Sequence, residues 1–125
     1  MNLNQVTLPA IDVQVSTDFY RKMGFILIVD AIPRYARFEC STGDSTFSLH
    51  WVKDEPKESG FIVYFECEHL DHKVEELMKI GFNFDQLPTD EPWLWREARL
   101  KDPTGNVICL FNAGKSRKYP PWRVG

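Results

Sequence analysis

The sequence predicts an α+β fold in which a βαβββ unit occurs twice, and three observations carry that prediction. Two segments end alike, TDFYRKMGF at 17–25 and EELMKIGF at 75–82; Gly24 and Gly81 stand 57 residues apart, and Phe25 and Phe82 keep that spacing. Around each segment lie short runs rich in β-branched and aromatic residues, in the order strand, helix, three strands. The last two runs are joined by DPTG at 102–105, where Asp first, Pro second and Gly fourth suit a type I turn.

The elements follow in order. LNQVTLP (3–9) reads as a strand. The helix behind it carries Phe19, Tyr20 and Met23 as its apolar stripe, with Asp12 or Ser16 as its cap and Gly24 just past its end. Strands follow at 25–30, 35–40 and 45–52, then a polar connector, KDEPKES, at 53–59. The second unit opens with a strand at 60–67. Its helix places Leu70, Val74, Leu77 and Met78 at helical spacing, and Glu75 and Lys79 can pair across one turn. Strands at 82–86, 93–100 and 106–112 complete it. One domain over 1–125 is expected, with units at 1–52 and 60–112 and a tail at 113–125, because a four-stranded sheet with one apolar face needs a partner.

Composition narrows the function classes. A chain of 125 residues, 43% hydrophobic and 26% charged, can bury a core and is not disordered. No apolar stretch approaches the ~18 residues of a membrane span, and MNLNQVTLPA lacks the pattern of a secretory signal. Cys40, Cys67 and Cys109 are odd in number and lack CxxC spacing, so three reduced thiols in a cytoplasmic protein are expected. The net charge of −3 gives no field for nucleic acid. The tail holds Lys115, Arg117, Lys118 and Arg123 and no acid, a patch too small to imply DNA binding. Its Tyr119-Pro120-Pro121-Trp122 run points to packing, across a subunit or over a pocket.

Alternation along the strands separates two faces. Helices must cover the apolar side. The mixed polar and aromatic side holds Gln5, Thr7, Ser48, His50, Ile62, Tyr64, Trp95, Glu97, Arg99, Cys109 and Phe111, the expected lining of a cavity. On it, Glu97 and Arg99 share one strand at i and i+2. As a buried pair, Arg99 would anchor an anion and Glu97 would orient it or act as a base; otherwise both are solvated or form a structural ion pair. His50 is either a hydrogen-bonded strand histidine or a cavity base. Cys109 reads as a small buried hydrophobe, and His69 and His72 as exposed first-turn residues that could otherwise chelate.

The segments NQVTLPAIDVQVSTDFYRKMGF, YFECEHLDHKVEELMKIGF and LKDPTGNVICLFNAG together resemble the vicinal-oxygen-chelate superfamily of glyoxalases, bleomycin-resistance proteins and extradiol dioxygenases, over about residues 3–112. The resemblance implies a curved eight-stranded mixed sheet around a central cavity, and a homodimer. It also implies four metal-ligand positions, which fall here on Gln5, on Ser48 or His50, on Ile62 and on Cys109. Ile62 has no donor atom and Cys109 is a changed ligand type, so the standard site is expected to be largely lost. A reduced set of Gln5, His50 and Glu97 could still take a divalent ion such as Zn, Fe, Mn or Ni. Three function classes remain. One is a binder of a small anionic or aromatic molecule, with no cofactor and with Gln5, Thr7, Ser48, Tyr64, Trp95, Arg99, Cys109 and Phe111 as its contacts. The second is a metal-dependent lyase or dioxygenase-like enzyme working through His50 and Glu97. The third is an interaction domain whose cavity is filled by its own aromatics.

Overall fold

A computed structural model of the chain describes residues 1–57 and 60–125. Two residues of the expected connector, Glu58 and Ser59, lie outside that description. The α+β class and the doubled βαβββ order both hold. The first unit runs β1 (Gln5–Ala10), α1 (Val13–Met23), β2 (Ile26–Ala31), β3 (Tyr35–Glu39) and β4 (Thr46–Trp51); the second runs β5 (Ile62–Glu66), α2 (Leu70–Lys79), β6 (Gln86–Asp90), β7 (Arg96–Lys101) and β8 (Val107–Asn112). The strands form two four-stranded mixed sheets, β1-β4-β3-β2 and β5-β8-β7-β6. Each pairs its first and last strands in parallel and the rest antiparallel.

Both helices end by one device. Gly24, at φ 114°, donates to Arg21, and Phe25 donates to Tyr20. Fifty-seven residues on, Gly81 at φ 103° donates to Met78, and Phe82 donates to Leu77. Only glycine enters that left-handed region without strain, which is why the sequence repeats there. At the other end of α1, Asp12 is the cap: its carboxylate accepts from the Val15 N–H at 3.1 Å. The helix therefore begins one turn earlier than 17. Ser16 lies inside it, fully buried.

In the first unit α1 covers a layer of Leu8, Ala10, Ala36, Phe38, Phe47 and Leu49, with Tyr20 at its centre among Phe25, Phe38 and Phe47. The Tyr20 hydroxyl donates to Asp102 at 2.7 Å, because residues Asp102–Asn106, the turn between β7 and β8, pack with the first unit. Asp102 also accepts from the backbone N–H groups of Thr104 and Asn106, and the Ile11 N–H bonds Thr104. Burial, then the Asp102 charge, pushes the Tyr20 phenol well above its ordinary range. In the second unit Leu70, Val74 and Leu77 of α2 pack toward Ala98, Leu100, Ile108 and Leu110.

Four expectations need correction. Met78 is 47% exposed, outside the buried stripe, and its helix carries a His72–Glu76 contact where Glu75–Lys79 was expected. The strand expected at 82–86 lies at Gln86–Asp90 instead, through Pro88. It is an edge strand with a register shift between Gln86 and Thr89, which is where a sheet tolerates a residue with no N–H. The strand expected from 93 begins at Arg96, because Trp93, Leu94 and Trp95 form a turn closed by Leu94 N–H to Glu91 and Glu91 N–H to Trp95.

Candidate functional site

The face of the second sheet away from α2 carries Tyr64, Cys109, Phe111, Glu97 and Arg99, because the register sets Tyr64 beside Cys109, Cys109 beside Arg99 and Phe111 beside Glu97. Glu97 is 1% exposed. A buried carboxylate needs donors, and this one has three. Its Oε2 accepts from the Trp93 indole N–H at 2.6 Å; its Oε1 accepts from Arg99 Nη2 at 3.1 Å and from the Cys109 thiol at 3.5 Å. Trp93 reaches Glu97 because its turn places Leu94 at φ 68°, a left-handed conformation that costs a leucine about 1–3 kcal/mol.

Arg99 is only partly covered, and Glu97 beside it holds its guanidinium still more firmly charged. Its Nε is buried and has no partner among the described residues. Beside this pair stands an aromatic wall. Trp95 and Phe111 stack at 4.7 Å between ring centroids, and Tyr64 meets both edge-on at 5.7 and 5.6 Å. The Trp95 indole donates to the carbonyl of Ser116, so the start of the tail docks against that wall; Tyr119 and Trp122 further along are exposed. The Cys109 thiol, desolvated and next to the Glu97 charge, is pushed up to about 12.

The remaining predicted residues belong to the first sheet. Gln5, Thr7, Ser48 and His50 lie on the face away from α1, Thr7 beside Ser48 and His50 beside both Pro9 and Tyr35. His50 is exposed; Ser48 is fully buried. Ser48 accepts from the Gln5 amide at 2.7 Å, and Gln5 Oε1 takes the Thr46 hydroxyl. His69 and His72 are exposed, as expected.

Of the positions that the resemblance assigns to a metal, His50 alone is an exposed ligand type, and the others do not fit one. Ile62 offers no donor atom. The Gln5 amide is already engaged on both of its ends, and the Cys109 thiol donates to Glu97. In the alternative set, both Glu97 oxygens are held by Trp93, Arg99 and Cys109. Among the described residues no three His, Cys, Asp or Glu side chains come together as a ligand set.

Sequence reasoning missed Trp93 as the Glu97 donor, since it reads as strand aromatic rather than turn. It also missed Tyr35 and Arg37, although strand parity puts both on the Ser48 face: Arg37 lies beside Ser48 and Tyr35 beside His50.

A sequence model of the Glyoxalase/Bleomycin resistance protein/Dioxygenase superfamily matches residues 2–110. No curated protein matches significantly. Among solved structures, a glyoxalase/bleomycin resistance protein/dioxygenase from Nocardioides is similar at 23% identity and a TM-score of 0.79, covering 100% of this chain and 90% of its own. Lactoylglutathione lyase from Agrobacterium tumefaciens is similar at 16% identity and a TM-score of 0.74, covering 94% and 97%. A bleomycin-binding protein, solved with bleomycin, is similar at 18% identity and a TM-score of 0.72, covering 90% and 98%.

Proposed function

The chain belongs to the Glyoxalase/Bleomycin resistance protein/Dioxygenase superfamily, and from that premise we propose that it binds a small aromatic molecule on the face of its second sheet away from α2, without the superfamily's metal. The observation that carries this reading is the ion pair of buried Glu97 with part-exposed Arg99, on the same sheet face as the Tyr64 and Phe111 rings. Burying a carboxylate costs several kcal/mol before its contacts are counted, so the presence of Glu97 on this sheet face calls for a use. The pair is formally neutral. Recognition therefore rests on the exposed part of the Arg99 guanidinium and the flat apolar wall, and it selects an aromatic compound bearing a carbonyl or carboxylate oxygen.

Glu97 acts here as the residue that orients Arg99, and Trp93 and Cys109 hold Glu97. The fold relatives include a lyase and a bleomycin-binding protein; the missing ligand set favours the binding role over the metal-dependent one. Benzoate and benzamide, titrated against thermal unfolding, test it. Both should stabilise the chain by mass action, by about 2.7 kcal/mol at a hundred times the dissociation constant. Arg99→Ala should weaken that binding about tenfold, the loss expected for one hydrogen bond from a charged donor. An undiminished response in Arg99→Ala would place the ligand elsewhere.

A further inference from the structure

On the first sheet, four side chains form a cluster that the reading above does not use. Tyr35 Oη lies 2.6 Å from Ser48 Oγ, Arg37 Nε donates to Tyr35 Oη at 2.9 Å, and the Gln5 amide donates to Ser48 Oγ at 2.7 Å. The proton count is uneven. Gln5 N–H, Arg37 Nε–H, Ser48 O–H and Tyr35 O–H are four donors, and the three contacts among them use three. Ser48 is fully buried and water cannot serve it, so its proton goes to Tyr35. Tyr35 Oη then accepts from both Ser48 and Arg37, and its own proton is left over. Tyr35 is only half-buried and Arg37 is exposed, so this proton and the guanidinium's outer N–H groups are open to a ligand.

We propose that Tyr35 and Arg37, set by Ser48 and Gln5, form a second site, which takes the oxyanion of a small ligand, a carboxylate or an enolate. The ligand's oxygen accepts from Tyr35 O–H and from the guanidinium, and so supplies the acceptor the cluster lacks. The same imbalance can be relieved by losing the tyrosine proton, since a tyrosinate would match every remaining donor. The phenol is accordingly shifted below its ordinary value of 10.0, first by the Ser48 hydrogen bond and then by Arg37. The groups facing it across the sheet are His50 on β4 and, on its own strand, Arg37 and Glu39; Gln5, Thr7, Val29 and Ala31 bring no charge. An anion bound here must favour the protonated phenol and weaken as that phenol ionises.

The test uses the full chain with tyrosines labelled at the ring carbon that bears the hydroxyl. The Tyr35 resonance is identified by its loss in Tyr35→Phe, and acetate and acetamide are compared at constant ionic strength. Tyr35 should ionise first of the chain's four tyrosines, acetate should move its midpoint upward, and acetamide should leave it in place. Arg37→Met should weaken the acetate effect about tenfold and raise the midpoint without ligand. A Tyr35 midpoint at or above 10.0, or one that acetate does not move, would overturn the proposal.

Discussion

At the scale of single residues, the chemistry turns on what a side chain's neighbours leave it free to do. Cys109 stands where the superfamily resemblance implies a metal-binding glutamate, yet its thiol is desolvated and donates to Glu97 at 3.5 Å. Burial favours the neutral form, and the Glu97 charge favours it further. The folded value of about 12 lies above the ordinary 9.0, so folding stabilises the protonated thiol. The part of the stability due to this group is intact below pH 9 and is lost as pH rises toward about 12. At pH 8 the native chain should therefore leave Cys109 unalkylated by iodoacetamide, while chain unfolded in urea should react there; peptide mass mapping checks it. Rapid labelling of Cys109 in the native chain would mean a thiolate. Sequence parity already set Cys109, Glu97 and Arg99 on one face. What it could not supply was the third donor, because Trp93 reaches Glu97 only through the left-handed Leu94.

At the scale of elements, local signals were legible where one residue type has one cheap solution. Gly24 and Gly81 mark both helix ends because only glycine takes φ near 100° without strain. Asp12 marks a helix start because a carboxylate can accept from the third N–H on. Boundaries failed where tertiary pairing overrides propensity. The strand expected at 82–86 forms at Gln86–Asp90 instead, because β6 is an edge and can omit a donor at Pro88. The DPTG turn was read as a simple hairpin connection, yet Asp102 gathers donors from Tyr20, Thr104 and Asn106 and ties the turn to α1. These two kinds of element feature differ in weight. Gly24→Ala should cost about 1–2 kcal/mol, the left-handed penalty of one residue. Asp102→Ala orphans several buried donors at roughly 1–3 kcal/mol each and should cost more than that. Urea unfolding of both variants measures the difference; equal losses would deny Asp102 its bridging role.

At the scale of the whole molecule, the chain uses one βαβββ plan twice and gives its two open sheet faces different chemistry. The fold could be read from the repeat because both copies keep the same helix stops and the same strand order. The site could be read only in part, since its content differs between the copies: the first sheet carries exposed polar groups around Tyr35 and Ser48, the second a buried carboxylate paired with a part-exposed arginine beside stacked rings. Among the described residues, only His50 in that arrangement suits a metal, so ligand binding on the second sheet should need none. The most direct test is elemental analysis of protein purified without a histidine tag, followed by benzoate titration before and after treatment with a chelator. The expected result is far less than one equivalent of zinc, iron, manganese or nickel per chain, and the same benzoate affinity in both titrations. Near one equivalent of metal, with binding abolished when it is removed, would contradict it.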